Sequence, residues 1–223
     1  MNWQALILTA KLASLVSIIL MLVGIPIALW VAYSRRRWKF LAESVVALPI
    51  LLPPTVMGFY LLVAFGSDSA FGSWYQQMTG RTLAFTFNGL VIASVLYSLP
   101  FAVHPMVAGF RAVDRKLMAA AGTLGARKPK VYLQIVLPLA WPSLVTGWIL
   151  SFAHTVGEFG VVLMVGGNIA GSTRTLSIDI YDQVEALNYH SANVTALTLL
   201  VFSYSLLCLL YGLNQKLVLW GTR

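Results

Sequence analysis

Five long stretches of this chain contain no Asp, Glu, Lys or Arg: Leu12 to Ser34, Ser44 to Ser67, Thr82 to Phe110, Val131 to Gly157 and Ala186 to Gln215. A helix needs roughly 20 apolar residues to cross the hydrocarbon core of a bilayer, so each stretch is long enough to span and too long for a buried strand. The chain as a whole is 59% hydrophobic and 10% charged, whereas soluble domains are about 45 to 50% apolar and about 25% charged. A water-soluble core of this size cannot hide so much apolar surface. The same balance excludes a disordered chain, a coiled coil and a collagen-like array, and a single cysteine, Cys208, excludes a disulfide scaffold. The expectation is an all-α polytopic membrane protein, a single transmembrane domain over residues 1–223.

Crossings are expected at about 12–34, 44–67, 82–110, 139–163 and 190–215. The apolar piece from Phe159 to Thr173 is short and glycine-rich, so its start is read as the end of the fourth crossing and its remainder as an external loop. Cytoplasmic loops retain Lys and Arg, which fixes the expected orientation. One set of connections holds Arg35, Arg36, Arg37, Lys39, Arg111, Arg115, Lys116, Arg127, Lys128, Lys130, Lys216 and Arg223, twelve of the fifteen basic residues; the other holds Lys11, Arg81 and Arg174. The N-terminus is therefore expected outside and the C-terminus in the cytoplasm. Without a basic leader or a small-residue cleavage site, the first segment reads as a retained helix. Trp3, Trp30, Trp38, Trp74 and Trp220 fall near expected helix ends, as interfacial tryptophans do.

The second cytoplasmic connection, residues 111–130, is more than a linker. Asp114 is a helix N-cap candidate, Leu117 to Ala121 favour helix, and Gly125 with Pro129 break it. Two short helices meeting at a bend near Gly125 are expected there.

From this knob onward, Ala120-Ala121-Gly122-Thr123-Leu124-Gly125, nine residues, then Ile135-Val136-Leu137-Pro138 resembles the EAA signature of binding-protein-dependent ABC importer permeases. The acidic residue of that signature is absent, with Met118 and Ala119 in its place. Leu48 to Gly58 (LPILLPPTVMG) resembles the start of the second crossing in molybdate permeases. Gly157-Glu158-Phe159-Gly160, Gly166 to Ile169 and Thr173-Arg174-Thr175 are similar to a stretch shared by molybdate and sulfate permeases. The whole chain thus resembles the molybdate/sulfate permease family, with tungstate and sulfate as alternative cargoes.

The resemblance implies a coupling helix that sits in a groove of a cytoplasmic ABC ATPase, with Ala120, Ala121, Gly125, Ile135, Leu137 and Pro138 as coupling residues. It also implies a homodimer, an extracytoplasmic oxyanion-binding protein and a place in a bacterial or archaeal cytoplasmic membrane. No resident cofactor, metal or nucleic acid is implied. The chain has no G-x-x-x-x-G-K-[ST] loop, since no lysine precedes Ser or Thr, so ATP must be hydrolysed by another subunit.

Pro53, Pro54 and Thr55 are candidates for the translocation path, because prolines free backbone carbonyls that membrane helices tolerate where they face protein or water. The alternative is a packing kink. Gly157, Glu158 and Gly160 join them as path or gate candidates. Glu158 would repel an anion, so it is assigned to gating or to a structural hydrogen bond. No basic residue lies deep in a crossing, which predicts weak binding in the path, as transport requires. Hydroxyls at Thr55, Ser98, Ser151 and Thr155 either solvate an oxyanion or bond their own helix carbonyls. His154 and Glu158, four apart, would need a third ligand to hold zinc. An intramembrane hydrolase would need a constellation such as G-x-S-x-G, which is absent.

Overall fold

The computed structural model describes residues 2–221, and their side chains except at 210 and 213–221. Arg223 and the side chains of Lys216 and Trp220, which entered the orientation argument, lie outside the described residues. Among the described residues the chain is helical, with no strand. α1 (Trp3–Tyr33), α5 (Phe87–Ala112) and α11 (Tyr189–Gly221) are unbroken. Two further helix pairs are bent: α2 (Lys39–Leu51) meets α3 (Pro54–Phe65) at 112°, and α7 (Lys128–Leu139) meets α8 (Trp141–Gly157) at 69°. The chain is a multi-pass membrane protein whose described residues include three unbroken helices long and apolar enough to cross, or up to five spans if each bent pair is one.

The breaks follow from proline chemistry. Pro53 and Pro54 push Leu52 and Pro53 out of the helical region, to ψ 135° and 139°, so α2 must end and α3 start afresh with Pro54 in its first turn. In α7, the residues Tyr132–Val136 form a π turn immediately before Pro138. Widening the coil there makes room for a ring that would clash with the turn before it. Pro142 then opens α8 past the bend at Ala140.

α1, α5 and α8 form the core. Leu12, Val16 and Leu20 of α1 meet Leu90, Val103, Met106 and Phe110 of α5 and Leu144 of α8, all buried. The α5–α8 approach is so close that a Cβ on Gly147 would lie 2.6 Å from the Ala102 carbonyl oxygen. Small residues permit this backbone proximity, and dispersion gained at close range holds membrane helices together. Tyr33 ties the end of α1 to the end of α5 by donating its hydroxyl to the Phe110 carbonyl at 2.7 Å.

Three features differ from the sequence reading. α1 starts at Trp3, well before position 12, so Lys11 is a helical residue and not part of a connection. Its ammonium lies 4.9 Å from the centre of the Phe87 ring, a cation–π contact. The connection after α3 carries the short helix α4 (Ala70–Thr79), capped by the Ser69 hydroxyl and closed by Gly80. The glycine-rich segment is not a plain loop: α9 (Gly160–Gly166) and α10 (Leu176–Glu185) flank a turn at residues 167–175. That turn is built from hydrogen bonds, including Thr173 Oγ1 to the Gly166 carbonyl at 2.7 Å and Asn168 Nδ2 to Asp182 at 2.7 Å.

Candidate translocation cleft and coupling helix

The chain leaves the helical path at Glu158, with ψ 132°, and re-enters it at Gly160. This joint sits against the start of α3, where a Cβ on Gly160 would lie 2.6 Å from the Pro54 Cβ. Two helix interruptions far apart in sequence are thereby brought together. Between them opens a cleft of about 530 Å³ lined by Pro54, Thr55, Tyr97, Ala153, His154, Gly157, Glu158, Phe159 and Gly160. Five of the six path candidates named from sequence line it, and Pro53 lies just outside as the residue before α3.

The polar groups of the cleft divide into two sets. Glu158 is 4% exposed, and both its oxygens are buried without a hydrogen-bond partner, as is the hydroxyl of nearby Ser94 on α5. The Glu158 backbone is secured instead, its carbonyl accepting from Ser177 Oγ at 2.5 Å. His154 is held by its ring, which stacks on Phe101 with centroids 3.8 Å apart and lies 5.1 Å from Tyr97. Its Nδ1 is 2.9 Å from Ser98 Oγ, which in turn lies 3.0 Å from Thr155 Oγ1. Ser151 and Thr155 donate to the carbonyls of Trp148 and Ser151, so these hydroxyls serve their own helix. Thr55 is exposed and, like the Tyr97 hydroxyl, has no hydrogen bond within the described residues. His154 and Glu158 both line the cleft, and among the described residues no third His, Cys, Asp or Glu joins them in a metal-sized group.

Sequence reasoning did not place Tyr97 in the cleft, and it weighed His154 for zinc and, with the other histidines, Ser94 and Ser98, for an intramembrane hydrolase. A signal existed: Ser94, Tyr97, Ser98 and Phe101 recur at helical spacing along α5 and form a polar and aromatic stripe facing α8.

The knob forms a second surface. α6 (Arg115–Thr123) is capped by Asp114, whose Oδ1 accepts from the Lys116 amide at 2.8 Å. It ends in a Schellman turn, with Gly125 donating to the Gly122 carbonyl and Ala126 to the Ala121 carbonyl, both at 3.0 Å. Gly125 has φ +82°, a conformation that glycine adopts without a Cβ penalty. No residue of α6 is buried; Ala120 is exposed, and Leu124 just beyond the helix is 88% exposed. Met118, at one position where the signature carries its acid, packs instead against the apolar core. Ala121 is half-buried on the same short helix; Ile135 and half-buried Leu137 lie in and after the π turn, and Pro138 is exposed. The α5 end next to the knob is tied to α2 by the Arg111–Glu43 ion pair.

The family model for the binding-protein-dependent transport system inner membrane component matches residues 24–219. A molybdenum transport system permease of Azotobacter vinelandii is 49% identical over 93% of this chain and 92% of its own length. A putative molybdenum transport system permease of Bacillus subtilis is 35% identical over 94% of this chain and 91% of its own. Among solved structures, a methionine ABC transporter in inward-facing conformations has the same fold, with a TM-score of 0.75, 13% identity and coverage of 97% of this chain and 95% of that one. The chain belongs to the family of binding-protein-dependent transport system inner membrane components, as a transport permease and not an enzyme.

Proposed function

We propose that this chain is the membrane-spanning subunit of an ATP-driven importer that moves molybdate across the bacterial cytoplasmic membrane. The observation that carries the reading is the end-to-end similarity to the Azotobacter molybdenum permease, which covers the crossings, the knob and the joint at Glu158. The chain acts as one permease domain with five crossings, each bent pair counting as one, N-terminus outside and C-terminus inside. Two copies pair around the path, since five helices make a thin wall on their own. An external binding protein delivers the oxyanion, and two cytoplasmic ATPase subunits drive the cycle.

In this reading α6 is the coupling helix. Ala120, Ala121 and Gly125 present a small, uncovered surface to a groove of the ATPase, and Ile135, Leu137 and Pro138 transmit its movement through the π turn into α8. Pro53, Pro54, Thr55, Gly157, Glu158 and Gly160 form the path and its gate. Both halves of the gate are helix interruptions, which give way more easily than continuous helix when the partner subunits rotate.

The test is uptake into vesicles holding this chain with its ATPase and binding protein, comparing molybdate, tungstate and sulfate with and without ATP. ATP-dependent molybdate uptake that excess sulfate does not displace is the expected result. Preference for sulfate would move the cargo and keep the mechanism, and uptake of none of the three would overturn the proposal.

A further inference from the structure

We infer that the cavity between α2 and α5 binds a zwitterionic aminophospholipid, with its phosphate on Arg111 and its primary ammonium on Glu43. The cavity is about 430 Å³ and is lined from α1, α2 and α5. Val31, Val46, Val103 and Val107 make its walls apolar, and all four are buried. Glu43, Ser44 and Arg111 make one end polar, near where α2 begins and α5 finishes. His104, about two turns further in along α5, is the other polar residue of the lining.

Both charged groups keep unused capacity. Arg111 donates from Nη2 to Glu43 Oε1, and among the described residues neither side chain makes another hydrogen bond. The other guanidinium N–H donors and the second carboxylate oxygen remain open. The two side chains are 48% and 35% exposed, so a ligand can reach them. Side by side they form a fixed dipole, and a headgroup that carries its ammonium two carbons from its phosphate is the complementary dipole. A guanidinium holds phosphate through paired N–H bonds, and a carboxylate accepts charge-assisted bonds from a primary ammonium. A choline headgroup has no N–H to give and a glycerol headgroup has no cation, so neither matches Glu43.

The depth suits a headgroup. Trp38 immediately precedes α2 and Trp30 stands in the last turn of α1, both exposed, and tryptophans at such helix ends gather at headgroup level. Phe40 lines the cavity and is exposed, as are Val45 and Leu48 further along α2, so the apolar walls continue onto a surface that acyl chains can follow. Exposed Arg35, Arg36 and Arg37 precede α2 and attract phosphate of any lipid; selection of an amine falls to Glu43. The assignment requires the membrane placement of the chain and not the identity of its cargo.

The full chain, purified in detergent and stripped of lipid, is titrated with phosphatidylethanolamine, its N-methyl and N,N-dimethyl derivatives, phosphatidylcholine and phosphatidylglycerol. Bound lipid is counted by native mass spectrometry. The expected result is one retained phosphatidylethanolamine per chain, little loss of affinity while one N–H remains, and a loss of about tenfold when none does, in line with a hydrogen bond to a charged group. Glu43→Leu should bring phosphatidylethanolamine down to the phosphatidylcholine level, and Arg111→Met should weaken both. Gel filtration checks that the variants fold, and the lipid series on the unaltered chain decides the matter even if they do not. Equal binding of phosphatidylethanolamine and phosphatidylcholine by the unaltered chain would overturn the assignment, as would a preference that survives Glu43→Leu. Tighter binding of phosphatidylglycerol would give the site to anionic lipid and overturn amine recognition.

Discussion

At the scale of single residues, the backbone separates positions that were legible from positions that were not. Gly125 was legible because a helix stop followed by glycine signals a left-handed cap, and its φ of +82° is such a cap. Leu187 was not. It closes α10 with φ +57°, donating to the Val184 carbonyl while Asn188 donates to Gln183, and it is 72% exposed. A leucine in this conformation carries roughly 1 kcal/mol of steric strain without compensating burial. Leu187→Gly should therefore stabilise the protein by about 1 kcal/mol, read as a rise of about 2 to 4 °C in the thermal midpoint of the detergent-solubilised chain. A fall would show that the leucine side chain has a binding partner worth more than the strain. Glu158 was legible as an acid between glycine and Phe159-Gly160, whereas the surroundings of His154 were not, because Tyr97, Ser98 and Phe101 reach it from α5, far along the chain.

At the scale of elements, some prolines mark bends and others do not: Pro26, Pro49, Pro100 and Pro105 lie within continuous helices. Pro53-Pro54 separates α2 from α3, and Pro138 and Pro142 flank the bend between α7 and α8. The angles of 112° and 69° were not legible, since a missing amide frees a helix to bend and neighbouring helices decide how far. α4 and α10 escaped notice because each is only ten residues long, too short for a periodic apolar signal. α6 was read from its cap and its small residues. Space around Gly125 is open, with no atom within 4 Å of an added Cβ, so a side chain there strains only the turn. Gly125→Val is expected to fold and to form dimers, because α6 contributes no buried residue to the core, and to lose ATPase docking in a pull-down with the cognate ATPase. Normal recruitment would remove α6 from the coupling role.

At the scale of the whole molecule, burial is uneven. Of the most apolar window of α5, 56% is buried within the chain, against 11% for that of α11. A helix so apolar and so uncovered has lipid or a second copy for its solvent. Orientation rests on charge counts alone and can be checked directly. In a Cys208→Ser background, Arg36→Cys should react with an impermeant thiol reagent only from the cytoplasmic side, and Gln77→Cys, on exposed α4, only from outside. Reversed labelling would invert every assignment of path entrance and coupling surface.

The sequence by itself determined that this chain lives in a membrane and that a helix must end at Pro53-Pro54. Those properties are sums over local segments: transfer free energy accumulates residue by residue along a stretch, and proline removes its amide wherever it stands. Only the tertiary structure decided that the break at Pro54 faces the break at Glu158, that Tyr97 and His154 share their cleft, and that Met118 turns to the core while Ala120 stays exposed. These are properties of pairs distant along the chain. Which faces meet depends on how closely α3 can approach the joint past Gly160, and α5 can approach α8 past Gly147, and no local sum contains that distance.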